Sequence, residues 1–140
     1  MKIYVTKNLD LDWELDPAEA INHYNSFPRE YLISEYPEGF TIIKVNLEKL
    51  IQRLNIKHTR NWLKNPYDLD SKYKIQKILQ HNLIGGKLSP PFIVDSANLN
   101  YPYTIKDGFH RLNVLCRIKQ SPIPIFIPKK DSQLFNKIKE

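Results

Sequence analysis

Five consecutive residues, Asp107-Gly108-Phe109-His110-Arg111, carry the densest chemistry in the chain. Arg111 offers a planar fork of donors that can grip a phosphate through two parallel bonds. His110 adds another side-chain donor, and Gly108 permits a sharp turn with close backbone approach to a ligand. The neighbouring residues supply the context. Tyr101 to Lys106 is rich in aromatic and β-branched residues and reads as a strand. Leu112, Leu115 and Ile118 recur at helical spacing, and Ile123-Pro124-Ile125-Phe126-Ile127 reads as a second strand. A strand thus feeds a tight polar turn that opens a helix. At such a junction, free backbone N–H groups and the positive end of the helix dipole favour an anion. In that arrangement Gly108, Phe109 and His110 supply backbone N–H groups, while His110 and Arg111 neutralise phosphate charge. For Asp107 three roles stay open: holding Mg²⁺, acting as a base, or only tying down the turn. A competing explanation needs no ligand, since Asp-Gly is a common turn pair and a His-Arg step can sit on any solvated helix end.

The elements that must position this turn are legible around it. Phe40 to Val45 reads as a strand, and Asn46 caps a helix whose apolar face is Leu47, Leu50, Ile51 and Leu54. Asp68-Leu69-Asp70-Ser71 offers caps for a further helix, with Ile75, Ile78, Leu79 and Leu83 as its buried positions. Gly85-Gly86 ends that helix, and no Lys-Ser/Thr follows it in the spacing of a phosphate loop. Leu88-Ser89-Pro90-Pro91 then leads into a strand at Phe92-Ile93-Val94, the prolines belonging at its start because they lack an N–H. By residue type Ser89 reads as a turn residue. Nearer the start, Lys2 to Lys7 reads as a short strand, and Asp16 caps a helix with Pro17 in its first turn that runs to about Asn25. A loop at Tyr36-Pro37-Glu38-Gly39 follows.

Phe40 to Pro128 resembles the ParB N-terminal domain/sulfiredoxin superfamily. The resemblance rests on Thr41 to Leu50, the helix around Lys72 to Leu83, Leu88-Ser89-Pro90-Pro91-Phe92-Ile93-Val94-Asp95, Tyr103 to Arg111, and the strand Ile123 to Ile127, in that order. Members include ATP-using sulfiredoxins, free-standing serine kinases, CTP-dependent segregation clamps and nuclease-like proteins. What they share, a nucleotide phosphate resting on this turn and helix, is what the resemblance implies here: an ATP- or CTP-class nucleotide, with Mg²⁺, at Ser89 and Gly108 to Arg111, and Asp107 and His110 as the catalytic candidates. Two departures narrow it. Sulfiredoxins carry a cysteine immediately before the His-Arg pair, where this chain has Phe109, which cannot act as a nucleophile. Segregation clamps carry a Gly-Glu-Arg-Arg type turn and continue into a helix-turn-helix domain, for which the stretch after Ile127 is too short.

Composition bounds the remaining choices. A chain of 140 residues, 41% hydrophobic, with eight Tyr, six Phe and two Trp, fits one compact core. The single cysteine excludes a disulfide framework and a Cys-based zinc site, and with no membrane-length apolar run or signal peptide it suits a cytoplasmic protein without a membrane partner. Neither do the four histidines His23, His58, His81 and His110 show metal-ligand spacing. Net charge is +6, with acids concentrated in the first forty residues and bases further on. Lys57, His58 and Arg60 lie near Trp62 and are either a nucleic-acid contact or part of a surface linker. The expected organisation is an N-terminal extension over 1–39, forming a lid or a protein-partner contact, an α+β domain over 40–130 with a small mixed sheet covered by helices, and a C-terminal tail over 131–140. Its expected function is nucleotide phosphate binding coupled to phosphoryl transfer or hydrolysis. The rivals are DNA or RNA binding (as a nuclease in one form) and a non-catalytic interaction module.

Overall fold

A four-stranded mixed sheet lies at the centre of the protein, giving the α+β class expected from the sequence. The computed structural model describes residues 11–24, 26–55 and 69–140. In chain order these form α1 (Pro17–Ala20), a 3-10 turn (Ile21–His23), α2 (Arg29–Glu35), β1 (Phe40–Val45) and α3 (Leu47–Gln52). Then come α4 (Leu69–Leu83), β2 (Phe92–Asp95), β3 (Tyr103–Asp107), α5 (Phe109–Ile118), β4 (Ile123–Pro128) and a second 3-10 segment, Lys129–Phe135. The strand order is β1-β4-β2-β3. β4 runs antiparallel to β1 and parallel to β2, and β2 runs antiparallel to β3. The link from β3 through α5 to β4 therefore passes over β2. Among the described residues no helix is long and apolar enough to cross a membrane.

Side chains alternate along each strand, and this alternation builds a separate core on each face of the sheet. On one face Val45, Ile93, Ile105, Ile123, Ile125 and Ile127 join Leu47, Leu50, Leu112 and Leu115 from α3 and α5. On the other face Phe40, Phe92, Val94 and Phe126 meet Ala20, Ile21, Tyr24 and Leu32 from the N-terminal helices. Those aromatic rings interlock: Phe40 stacks on Phe126 with centres 4.5 Å apart, and Tyr24 lies 4.8 Å from Phe126. β4 serves both cores, and all six of its residues are buried. Each fully buried Ile or Phe there contributes about 1.5–3 kcal/mol relative to exposure.

Local signals set the element ends. The Asp16 carboxylate accepts from the Ala18 N–H at 3.0 Å and Pro17 opens α1. Asn46 Oδ1 accepts from the Lys49 N–H at 2.9 Å and caps α3. At the end of α4, Gly85 is left-handed at φ +80°, with Gly86 N–H donating to the His81 carbonyl and Gly85 N–H to that of Asn82. This is a Schellman stop, so the Gly-Gly pair terminates the helix as its composition indicates.

Several expectations are corrected. The N-terminal helix does not run to Asn25; it tightens into a 3-10 turn after Ala20. Helix α2 has no forewarning in the sequence pattern, because it buries only Leu32 and has no side-chain cap. Leu83 is 77% exposed rather than buried, since the last turn of α4 overshoots the core that Ile78 and Leu79 reach. The strand read from Tyr101 starts at Tyr103, because Asn98 Oδ1 accepts from the N–H groups of Asn100 and Tyr101 and holds them in a turn. In the 131–140 segment, Phe135 and Ile138 are buried in the core, Asn46 N–H donates to the Ile138 carbonyl, and Glu140 N–H donates to that of Lys44. The strand read at Lys2 to Lys7 lies outside the described residues, as does the 57–62 cluster.

Candidate functional site

The turn at Asp107 to Arg111 is built as strand, left-handed glycine, helix. At the end of β3 the register with β2 jumps from Ile93–Ile105 to Phe92–Asp107, so Lys106 is an extra residue that bends the strand out of the ladder. Gly108 follows with φ +92° and ψ 25° and occupies the N-cap position of α5. A Cβ on Gly108 would sit 2.9 Å from Pro91 Cα, so only glycine lets this turn lie against the lead-in to β2. Gly108 thus serves chain packing first. The first turn of α5 has no acidic side chain, and helix geometry leaves its leading N–H groups without partners inside the helix.

The side chains of the motif separate in space. Phe109 packs against the core beneath the helix, and His110 is half-buried. The Asp107 carboxylate accepts from the Ser26 backbone N–H at 3.4 Å, which ties the turn to the N-terminal segment. Arg111 lines a cleft of about 1010 Å³ between the C-terminal half of α4, the 84–89 loop and the 3-10 turn. Ser89 lines the same cleft, so of the predicted contacts it is Arg111 and Ser89 that meet there. Ser89 is buried and its hydroxyl donates to the Ala20 carbonyl at 3.3 Å, anchoring the loop as well as lining the cleft.

Four basic or imidazole side chains outside the motif also line this cleft: Lys77, Lys87, His23 and His81. With Arg111 they make a wall carrying three permanent cations and two imidazoles, with no carboxylate among the described lining residues. Ile78, Ile84 and Leu88 supply its apolar part. His81 is locked in place: its Nε2–H donates to the Lys87 carbonyl at 2.9 Å, and its ring packs against Gly86. That bond leaves Nδ1 as the second polar atom of the ring. Lys77 and His81 are four residues apart on α4 and so share a face. That spacing, together with Lys87 two residues before Ser89, was the available sequence signal.

Arg111 is oriented by an aromatic ring. Its guanidinium carbon lies 6.0 Å from the centre of the Tyr24 ring, within range of a cation–π attraction. Its Nη1 is buried with no hydrogen-bond partner among the described residues. The Tyr24 hydroxyl donates to the Pro90 carbonyl at 2.6 Å. Burial raises the pKa of this hydroxyl, with Arg111 opposing and Asp107 adding to the shift, so it stays protonated as the donor. Cys116, half-buried beside the core, is pushed up to about 11 by burial and is a neutral thiol at physiological pH, not a nucleophile.

The described residues contain no group of three or more His, Cys, Asp or Glu side chains able to hold a metal ion. Asp107 is a single carboxylate that accepts from the Ser26 N–H, with no cluster of acids around it among the described residues, so these residues do not by themselves make a Mg²⁺ site. No protein-family model, no curated protein and no solved structure matches the chain.

Proposed function

We propose that this protein binds a nucleotide, with its phosphates against Arg111, Lys77 and Lys87 and its less polar body along Ile78, Ile84 and Leu88. The observation that carries the reading is the composition of one cleft. Three cationic residues line it with no carboxylate among the described lining residues, the Lys77 ammonium resting 4.7 Å from the centre of the Tyr73 ring, and Arg111 offers a buried Nη1 that has no hydrogen-bond partner among the described residues. A half-buried guanidinium gains from an anion that can take two parallel bonds. The turn at Asp107 to Arg111 supports the same reading, because it brings the N-terminus of a ten-residue helix beside the cleft that Arg111 lines. Membership of the ParB/sulfiredoxin superfamily is part of this proposal, as is phosphoryl transfer or hydrolysis once the nucleotide is held. In such a reaction Arg111 stabilises charge on the transferring group. Asp107, bonded to the Ser26 N–H, is assigned to fixing the turn.

The test is a thermal-shift and calorimetric titration with ATP, ADP, CTP and GTP, with and without Mg²⁺, on wild type and Arg111→Ala. Saturable stabilisation of wild type that falls at least tenfold in affinity in the variant is expected. A folded wild type that binds no nucleotide at millimolar concentration would refute the proposal. Binding without turnover would keep the site and make the protein a nucleotide-sensing module.

A further inference from the structure

We infer that the N-terminal segment Ala20–Tyr24 is an integral wall of this site, with His23 a ligand-contacting residue and Tyr24 a positioning residue for Arg111. The inference rests on the anion-binding reading of the cleft and extends it to a part of the chain outside the family resemblance.

Three fastenings join the segment to both sides of the turn. The Ala20 carbonyl accepts from the Ser89 hydroxyl, and the Tyr24 hydroxyl donates to the Pro90 carbonyl. Two residues on, the Ser26 N–H reaches the Asp107 carboxylate. Tyr24 cannot easily turn away, because its ring is held against Phe92 at 5.5 Å and Phe126 at 4.8 Å. It therefore presents a fixed aromatic face beneath the Arg111 guanidinium. A carboxylate in that place would orient Arg111 equally well but would neutralise it and occupy its fork of donors. A ring face orients the cation through the quadrupole and leaves the in-plane N–H groups for a ligand. His23 is exposed and lines the same cleft, so its imidazole faces an incoming anion without a packing role of its own. The ligand class this wall suits is a polyanion, such as a nucleoside polyphosphate, long enough to touch Arg111 and His23 together.

The experiment is calorimetric titration of ATP and of inorganic triphosphate into wild type, Arg111→Ala, His23→Ala, Tyr24→Phe and Tyr24→Leu. Each protein is also checked for fold by circular dichroism and for melting temperature. His23→Ala is expected to weaken triphosphate binding about 3- to 10-fold with an unchanged melting temperature. Tyr24→Phe keeps the ring and is expected to hold affinity within about twofold, although it melts earlier because the Pro90 carbonyl loses its donor. Tyr24→Leu loses the ring and is expected to weaken binding about 5- to 20-fold. If wild type binds and Arg111→Ala does not, while His23→Ala and Tyr24→Leu bind like wild type, the inference fails and the anion site stands. If wild type binds neither ligand, the underlying reading fails with it. Should Tyr24→Leu not fold, the other two variants decide. Loss of affinity in Tyr24→Phe, or none in His23→Ala, overturns the inference.

Discussion

At the scale of single residues, Gly108 shows how a turn that looks like a ligand loop can be demanded by packing. Its φ of +92° excludes ordinary side chains, and a Cβ would meet Pro91 Cα at 2.9 Å, a backbone atom that cannot step aside. Gly85 is also left-handed, at φ +80°, but nothing lies within 4 Å of where its Cβ would be. Gly108→Ala is therefore expected to destabilise the protein by about 2–4 kcal/mol, against about 1 kcal/mol for Gly85→Ala. Urea denaturation of the two variants measures the difference directly, and equal costs would show that the Pro91 contact relaxes. The site was half legible at this scale. Arg111 is legible from residue type and context and Ser89 only through the family resemblance, and they do share a cleft. Of the other lining residues, Lys77 and His81 leave a local trace in their four-residue spacing on α4, whereas the meeting of His23 with them and with Lys87 depends on how separate elements pack together.

At the scale of elements, helix ends followed local rules, and one of them carries a removable strain. Lys119 closes α5 in the left-handed region at φ 55°, its N–H and that of Gln120 both donating to the Leu115 carbonyl. Glycine is the residue this position prefers, since a Cβ there crowds the backbone. Lys119→Gly is expected to stabilise the protein by about 0.5–1 kcal/mol, raising the urea midpoint without changing the slope. Destabilisation would mean that the lysine side chain makes a contact worth more than the backbone strain. The caps at Asp16 and Asn46 and the glycine stop after α4 were readable because each satisfies backbone groups of its own helix end. Helix α2 was not readable. It has no side-chain cap and buries one leucine, so tertiary contact, not local sequence, makes it a helix.

At the scale of the whole molecule, the ends of the described chain close over the sheet. Phe135 is fully buried and stacks on Tyr103 with ring centres 4.8 Å apart, and the Tyr103 hydroxyl donates to the Leu134 carbonyl at 2.8 Å. Phe135→Ala is expected to cost about 3–5 kcal/mol by thermal or urea denaturation, as a core cavity does. A change below 1 kcal/mol would show that the last ten residues are a dispensable tail. Opposite them, the N-terminal helices complete the aromatic core around Phe92 and Phe126 and bring Tyr24 to Arg111.

What the sequence determined by itself was the alternation that makes the strands, most helix ends, the α+β class and the strand–turn–helix context of Arg111. These depend on neighbours within a few positions, where sterics and capping act. Only the tertiary structure decided that Phe109 packs inward, that Asp107 bonds to the Ser26 N–H, and that lysines from α4 and the following loop join Arg111 in one cleft. Those outcomes depend on which faces of the sheet are covered and by what, and burial of two separate apolar faces is settled only when distant segments pack together.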